Sequence, residues 1–188
     1  MARGIRIVLP GDPLLDTPTA LRPWRDNDIP ALVLACQDPE IVRWTRVPAR
    51  YGESDARAYL LARYDAIAAR ASAPFAIVQA TDGALLGSIS LMRFAHQHAR
   101  AEVGYWLARA ARGQGHAVRA VRLICAWGFR SLGLERIDLL AATGNAASQR
   151  VAERAGFTRE ALLRSYLQGT YERQDMVAYG LLASEAAR

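Results

Sequence analysis

The stretch EVGYWLARAARGQGHAVRAVRLICAWGFRSL, residues 102–132, decides the fold of this chain. Residues 101–107 have the composition of a β-strand. A glycine-rich break follows at Arg112-Gly-Gln-Gly-His-Ala117, and apolar residues then recur at helical spacing up to Leu132. Gly133 stands where a glycine commonly ends a helix. We therefore predict a strand, a tight loop and a long helix in direct succession.

The glycine-rich loop has the chemistry of an anion site. The first turn of a helix leaves backbone N–H groups unpaired and carries about +0.5 charge. Gly113 and Gly115 allow close approach of a ligand to the backbone, and Arg112 and Arg119 add positive charge. These features suit a pyrophosphate. The loop is neither a P-loop, because no Gly-Lys-Ser/Thr follows, nor a dinucleotide fingerprint, because the third glycine is missing. An ordinary flexible loop before a helix is the alternative.

The rest of the pattern predicts one α/β domain with the element order βααβββαβαββ. We expect a mixed, mostly antiparallel sheet of about seven strands, with helices on both faces. The domain covers residues 20–183, between an irregular leader over residues 1–19 and a short tail over residues 184–188. The predicted strands are 20–24, 75–80, 85–94, 101–107, 136–143, 157–166 and 173–182, and the predicted helices are 28–37, 54–71, the helix that ends at 132, and one of about ten residues after Asn145.

Composition restricts the class of protein. Of the 188 residues, 52% are hydrophobic and 22% are charged, which excludes a disordered or collagen-like chain. No stretch approaches the ~20 apolar residues of a membrane span, and the first residues lack a signal-peptide core. Cys36 and Cys125 are too few for a disulfide framework and fall on apolar helix faces. His96 and His98 have no third ligand nearby, so we expect no metal. We expect a cytoplasmic protein that does not bind membranes.

The net charge of +6 is concentrated in one segment. No acidic residue lies between Glu102 and Glu135, whereas five arginines do. A protein with a pI near 9.9 can bind nucleic acid, and a phosphorylated cofactor is the other candidate for this segment. The five arginines are Arg109, Arg112, Arg119, Arg122 and Arg130.

The glycine-rich loop and the order of the elements resemble the Gcn5-related N-acetyltransferases (GNAT). The loop from Arg112 to Ala117 matches their Arg/Gln-x-x-Gly-x-Gly/Ala signature. Within that superfamily, the chain looks closest to the Rim-type ribosomal-protein N-terminal acetyltransferases. The segments that carry this second resemblance are Leu21-Arg-Pro-Trp24, Glu102-Val-Gly-Tyr-Trp-Leu107, Asn145-Ala-Ala-Ser148 and Val151-Ala-Glu-Arg-Ala-Gly-Phe157.

The resemblance implies a single-domain GNAT fold with acetyl-CoA as co-substrate and no metal. Acetyl-CoA would bind in a V-shaped splay between the fourth and fifth predicted strands. Its pyrophosphate would lie on the backbone N–H groups of residues 114–118, and its pantetheine arm would pair with the backbone of residues 105–107. The residues that the resemblance assigns to cofactor binding are Tyr105, Trp106, Leu107, Arg112, Gly113, Gln114, Gly115, His116, Ala117 and Asn145.

Glu102 and Ser148 are the catalytic residues that the resemblance implies. Acetyl transfer needs a neutral amine, and an α-amine with a pKa of about 7.7–8.0 requires only a modest base, which Glu102 would supply directly or through a water. The alternative is a structural glutamate paired with Arg100 or Arg136.

The resemblance implies that a serine, rather than the tyrosine of many acetyltransferases, faces the departing thiolate. The position at which many acetyltransferases carry a tyrosine holds Ala152, so Ser148 would donate a hydrogen bond to the sulfur, with Tyr166 as the competing donor. Ser148 could instead bond only to its own helix, and Asn145 could act only as a helix cap.

The acceptor is the least determined part of the hypothesis. Trp44, Tyr51 and Tyr166 are assigned to substrate binding, and Tyr171 flanks the same hairpin loop as Tyr166. A protein N-terminal α-amine is the first choice of acceptor. The alternatives are a small-molecule amine, a larger acyl-CoA donor, or a non-catalytic module that binds nucleic acid or the ribosome on the same scaffold. We expect nucleic acid to be met only through a ribosomal-protein substrate, and a homodimer is compatible with this hypothesis.

Overall fold

The computed structural model describes residues 5–169 and 172–186, which form eight strands and six α-helices. The strands are β1 (Leu14–Asp16), β2 (Thr19–Arg22), β3 (Ser72–Gln79), β4 (Leu85–Ala95), β5 (Arg100–Leu107), β6 (Arg136–Ala142), β7 (Thr158–Gln168) and β8 (Arg173–Leu182). The helices are α1 (Ile29–Ala35), α2 (Pro39–Trp44), α3 (Glu53–Ala68), α4 (His116–Leu132), α5 (Ala146–Ala155) and α6 (Ala183–Ala186).

All strands join one sheet in the order β1-β2-β3-β4-β5-β6-β8-β7. The pair β5–β6 is parallel and the other neighbouring pairs are antiparallel, which confirms the predicted mixed, mostly antiparallel α/β sheet. Helices cover both faces. α4 and α5 pack on one face around Phe75, Ile89 and Ile137, and α1 and α3 pack on the other face around Trp24 and Leu32.

The splay predicted between the fourth and fifth strands lies between β5 and β6. The parallel ladder starts at Arg100 opposite Arg136 and stops at Val103 opposite Leu139. β6 remains paired with β8 as far as Ala142, whereas β5 continues to Leu107 with β4 as its partner. The two strands therefore diverge over their C-terminal halves.

The ends of the chain differ from the prediction. The irregular leader expected over residues 1–19 is wrong for its last part, because Leu14–Asp16 form β1, an eighth strand that pairs with β2. Ile5 and Ile7 of the same segment are buried in the core. β1 is only three residues long, so it has no detectable period in the sequence. Part of the expected tail forms α6, and residues 1–4, 187 and 188 lie outside the described residues.

Helix α2 is also absent from the prediction. The pair Asp38-Pro39 ends α1, as expected, but it also starts the next helix. The Asp38 carboxylate accepts the N–H of Glu40 at 3.0 Å, and Pro39 occupies the first helical position, where its missing N–H costs nothing. The connection to α3 therefore presents Trp44 on a short helix. No helix in the described part of the chain has both the length and the apolar character needed to cross a bilayer.

Close contact between β4 and β5 makes Gly87 a test of the fold. A Cβ at this position would overlap the carbonyl oxygen of Trp106 on β5. We expect Gly87→Ala to lower the free energy of unfolding by about 1–3 kcal/mol, measured by urea unfolding. The control is Gly11→Ala, whose Cβ would meet no atom within 4 Å and should change stability by less than about 0.5 kcal/mol. Equal stability of the two variants would contradict this packing.

Candidate active site

A groove of about 840 Å³ opens where β5 and β6 separate. β4 and β5 form its floor, α5 and the end of β6 form one wall, and α2 and α3 form the other. The loop before α4 closes one end through Arg112 and Gly113. The groove contains most of the positions that the sequence assigned to a site, and it joins elements that are more than a hundred residues apart in the chain.

The glycine-rich loop has the geometry of an anion site. Gly113 and Gly115 have φ angles of 77° and 83°, in the left-handed region that favours glycine. This backbone leads directly into α4, which begins at His116. The first-turn N–H groups of α4 have no acceptor within the helix, and the helix dipole adds positive potential there. A Cβ on Gly115 would lie 2.7 Å from Nη1 of Arg119, so a side chain there would displace the Arg119 guanidinium and would also be strained by the positive φ.

Two polar side chains of the loop bind the protein itself. Arg112 donates two hydrogen bonds to the carbonyl oxygen of Leu107, at 3.1 and 2.9 Å, and forms an ion pair with Asp38 at 2.7 Å. Gln114 donates to the carbonyl oxygen of Ala110 at 2.7 Å. Both were assigned to cofactor binding, and these contacts show that their side chains also fix the loop against the end of β5.

His116 is anchored in the core rather than exposed beside the loop. Its side chain is 3% exposed, and Nδ1 lies 2.8 Å from the hydroxyl of Thr19 on β2. Burial, and then the charge of Arg119, lower the pKa of His116 below its usual value, so the ring is neutral at neutral pH. A contact between His116 and a ligand would therefore involve its backbone N–H. Ala117, the next residue, is buried and lines the groove.

The backbone of β5 faces the splay at alternate residues. Ala108 donates to the carbonyl oxygen of Leu86 at 2.8 Å. Alternation along an antiparallel ladder then turns the N–H and C=O groups of Tyr105 and Leu107 away from β4, toward the gap that β6 has left. The Leu107 carbonyl is the one bound by Arg112. The side chain of Tyr105 packs on the face of the sheet that carries α4 and α5, and the side chain of Trp106 packs on the other face, beside α3.

Tyr105 and Ser148 meet across the groove. The phenol oxygen of Tyr105, on β5, lies 3.1 Å from the hydroxyl oxygen of Ser148, on α5. Burial raises the pKa of Tyr105 to about 12, so the phenol is protonated at neutral pH. Asn145 caps α5, because its side chain accepts the N–H of Ser148 at 3.0 Å. The cap explains why Ser148 sits one turn into the helix. Sequence reasoning assigned Tyr105 through its backbone and missed the phenol, because the partner of the phenol comes from a distant element.

Glu102 lies just before the strands diverge, on the same face of the sheet as Trp106 and α3, at an end of that face that opens into a cavity (the open face). It stands opposite Asp138 in the parallel ladder, and the two carboxylates line a second cavity of about 500 Å³. The partner of Glu102 is Arg93, whose guanidinium nitrogen lies 2.7 Å from each carboxylate oxygen. The pairing with Arg100 or Arg136 considered above is wrong, since both of those arginines pair with Asp138.

Arg93 was missed by sequence reasoning. It lies at a bulge in β4 with a φ of 52°, an uncommon value for a residue with a side chain. Its guanidinium lines both the groove and the second cavity, so it stands between them. The left-handed conformation and the bulge depend on strand register, which a single sequence does not reveal.

The three residues assigned to substrate binding do not share one cavity. Trp44 and Tyr51 line the groove, and Trp44 reaches across to the loop before α5, where a Cβ on Gly144 would be 3.3 Å from its ring. Tyr166 is 49% exposed on β7 and lines the second cavity with Glu102, away from Ser148. Tyr171 lies outside the described residues.

Among the described residues, the histidines and cysteines form neither a metal site nor an activated nucleophile. Residues 5–169 and 172–186 contain no group of three or more His, Cys, Asp or Glu side chains placed to hold a metal ion. Cys36 and Cys125 are buried, and burial raises the pKa of both thiols, that of Cys36 to about 12. Thiols of this kind are poor nucleophiles at neutral pH.

Comparisons with known proteins give one family match and several similar proteins. The sequence profile of the acetyltransferase (GNAT) domain family matches residues 19–158. A putative ribosomal N-acetyltransferase, YdaF of Bacillus subtilis, is 38% identical over 104 residues, which are 55% of this chain and 57% of that protein. The match thus spans little more than half the length of that relative.

Two solved structures share the fold. RimJ of Mycobacterium smegmatis in complex with CoA-disulfide superimposes with a TM-score of 0.83 at 24% identity, covering 90% of this chain and 84% of that one. Spermidine N-acetyltransferase of Vibrio cholerae in complex with CoA and spermine superimposes with a TM-score of 0.78 at 20% identity, covering 92% of this chain and 100% of that one. At these identities the likeness establishes the fold alone.

Proposed function

Because the chain belongs to the GNAT acetyltransferase family, we propose that it transfers the acetyl group of acetyl-CoA directly to a primary amine, with a protein N-terminal α-amine as the acceptor. The observation that carries this proposal is the splay between β5 and β6, with an anion site at one end and the Tyr105–Ser148 pair inside it. The likeness to a putative ribosomal N-acetyltransferase supports the choice of acceptor.

The residues of the groove fit acetyl-CoA. The first-turn N–H groups of α4, after the left-handed Gly113 and Gly115, would hold the pyrophosphate. The N–H and C=O groups of Tyr105 and the N–H of Leu107 would pair with the pantetheine amides as a neighbouring strand would. Ala117 leaves room beside them, and Asn145 stands at the start of α5 on the other side of the groove. Bound acetyl-CoA supplies an activated acyl thioester, whose carbonyl a strand N–H would polarise.

Glu102 is proposed as the base that takes a proton from the amine. Its carboxylate lies on the open face of the sheet, at the last residue but one before the β5–β6 ladder ends. An amine that enters from this face would reach the splay beside it. Arg93 holds both carboxylate oxygens, so a water between Glu102 and the amine suits the arrangement.

Ser148 is proposed to stabilise the departing thiolate, with Tyr105 behind it. In this arrangement Ser148 donates its hydroxyl hydrogen to the sulfur and accepts a hydrogen bond from the Tyr105 phenol. The high pKa of Tyr105, about 12, keeps that donor protonated. Ser148, on the groove side of α5, would therefore stabilise the leaving thiolate, and Glu102, on the open face of the sheet, would take the proton from the amine.

A polyamine acceptor is less well supported by the charges of the site. Glu102 and Asp138 are each paired with arginine, and Glu40 lies 3.8 Å from Arg43, so among the described residues Asp55 is the one carboxylate in the groove without an ion pair to offer a polycation. Turnover tests the choice directly. Acetyl-CoA is incubated with the protein and one acceptor at a time, N-terminal peptides against spermidine and other small amines, and the released thiol is measured. Faster release with spermidine than with any peptide would contradict the proposed acceptor.

Gly115→Asp tests the cofactor site. The substitution places a carboxylate and a Cβ where the pyrophosphate would approach, so we expect the affinity for CoA to fall at least about tenfold. Calorimetry measures the affinity, and thermal unfolding checks that the variant is folded. Gly11→Asp adds the same charge at a distant open position and should leave the affinity unchanged. Unchanged CoA binding by a folded Gly115→Asp protein would refute the site.

Glu102→Gln tests the base. The amide keeps the size of the side chain but cannot accept the proton, so we expect kcat to fall by about 10²–10⁴-fold with little change in the KM for acetyl-CoA. The loss should shrink as the pH rises, because the amine then loses its proton to the solvent. Glu53→Gln, which also breaks a glutamate–arginine pair, is the control. A wild-type rate at pH 7 for Glu102→Gln would make Glu102 structural.

Ser148→Ala and Tyr105→Phe test the thiolate partner as a pair. Hydrogen bonds to charged groups contribute roughly 1.5–3 kcal/mol, so Ser148→Ala should slow transfer by about 10- to 150-fold, with CoA affinity little changed. Tyr105→Phe should slow transfer less, and the double variant should be no slower than Ser148→Ala, because Tyr105 acts through Ser148. The rate of acetyl transfer is measured for the wild type and each variant, once with a poor acceptor and once with a good acceptor. A large loss in Tyr166→Phe with a silent Ser148→Ala would assign the donor to Tyr166.

A further inference from the structure

Arg93 lies at an irregular point of β4 that changes the direction of its side chain. The antiparallel ladder between β4 and β5 pairs Met92 with Glu102, and the next pair along β4 is formed by Ala95. Arg93 and the residue after it therefore stand opposite a single residue of β5, Ala101. This arrangement is a β-bulge, and bulges beside active sites commonly redirect a side chain.

The bulge brings Arg93 to the face of the sheet that carries Glu102. Side chains alternate along a regular strand, so the residue at position 93 would follow Leu91 onto the face covered by α4 and α5. Phe94 takes that direction instead and packs against the core. The Arg93 side chain emerges on the open face, where it lines the second cavity together with Glu102.

The backbone of Arg93 has a conformation that usually belongs to glycine. Its φ is 52°, and one common form of bulge carries a glycine in the left-handed region at this position. A side chain in that conformation costs energy, and strain of this kind is concentrated at functional sites. An arginine that occupies a glycine position therefore indicates a role for its guanidinium.

One nitrogen of that guanidinium contacts both carboxylate oxygens of Glu102. Nη1 of Arg93 lies 2.7 Å from Oε1 and 2.7 Å from Oε2. Asp138 stands opposite Glu102 in the parallel ladder, and like charges at such a pair repel each other. Asp138 is paired with Arg100 and Arg136, so among the described residues Arg93 is the cation that compensates the charge of Glu102.

The same contact fixes the orientation of Glu102. A glutamate side chain has several rotamers, and Arg100, two residues earlier on the same face of β5, would offer its carboxylate another partner. The contact with Arg93 holds the carboxylate on the β4 side instead. Because Arg93 lines both the groove and the second cavity, the carboxylate is held at the boundary of the two.

We propose that Arg93 is a positioning residue for the acetyl transfer, because it holds the Glu102 carboxylate in one orientation at the boundary of the two cavities, where the amine would arrive. This inference rests on the proposed function, in which Glu102 takes the proton from the amine. A guanidinium accepts no proton, so Arg93 acts only through Glu102. The bulge in β4 is the feature of the backbone that makes the contact possible.

Arg93→Gly tests this role, because glycine adopts the left-handed backbone without strain and the substitution removes only the side chain. We expect kcat to fall about tenfold or more, with little change in the KM for acetyl-CoA. Arg70→Gly is the matched control, since Arg70 is exposed after α3 and has a φ of 54°. It should leave kcat unchanged. Thermal unfolding checks that both variants are folded, and Arg93→Gln gives the same measurement if Arg93→Gly does not fold.

A double variant shows whether Arg93 acts through Glu102. Adding Arg93→Gly to Glu102→Gln should cause no further loss of kcat, because the base that Arg93 positions is already absent. Crystal structures give a readout that needs no turnover. We expect the Glu102 carboxylate in one orientation in the wild type, and in another orientation or in several in Arg93→Gly.

Three outcomes would overturn the positioning role. They are a wild-type kcat in folded Arg93→Gly, a further loss of kcat when Arg93→Gly is added to Glu102→Gln, and an unchanged Glu102 in the crystal structure of Arg93→Gly. A wild-type protein that releases no thiol with any peptide or amine would contradict the proposed acetyl transfer. The crystal structures would still decide whether Arg93 orients Glu102, so the two failures can be told apart.

Discussion

The early end of the β5–β6 ladder is the constraint on which the rest of this structure depends. Four residue pairs hold the two strands together, and after Val103 and Leu139 each strand keeps its other neighbour and they separate. A sheet interior normally pairs every backbone N–H and C=O. Here the N–H and C=O of Tyr105 and the N–H of Leu107 face a groove instead, while the Leu107 carbonyl is bound by Arg112, and under the proposed function the pantetheine amides would pair with the free groups.

The alternation of β5 separates the proposed chemistry between two faces of the sheet. Tyr105 points toward α5 and meets Ser148, whereas Glu102 points toward the open face and meets Arg93. Gly104 lies between them at the point of divergence. A donor held along the splay and an acceptor entering from the open face would therefore meet at one position, with separate groups for the leaving thiolate and the attacking amine. This separation needs no residue to serve both partners.

Several arginines of the arginine-rich segment contact the protein itself. Three of its five arginines are engaged by the protein: Arg112 with Leu107 and Asp38, Arg119 with Asp16 at 3.7 Å, and Arg122 with the carbonyl oxygen of Arg154. The pyrophosphate site proposed there would use the α4 N-terminus and the two left-handed glycines as well as any free arginine. Arg63, whose Nε has no hydrogen-bond partner among the described residues, lies in a different part of the chain and was not singled out by the sequence.

The sequence alone determined what short-range rules control. The order of the predicted elements, the loop into α4, the glycine that ends it and the Asn145 cap follow from residues close together in the chain, and the structure agrees with them. Strand β1 and helix α2 escaped because three to six residues leave too short a pattern. Only the tertiary structure decided that Ser148 meets Tyr105, that Glu102 is paired with Arg93 and that Arg63 lies in the groove. Those contacts join elements distant in sequence, and strand register and helix packing, which no local pattern encodes, set which side chains meet.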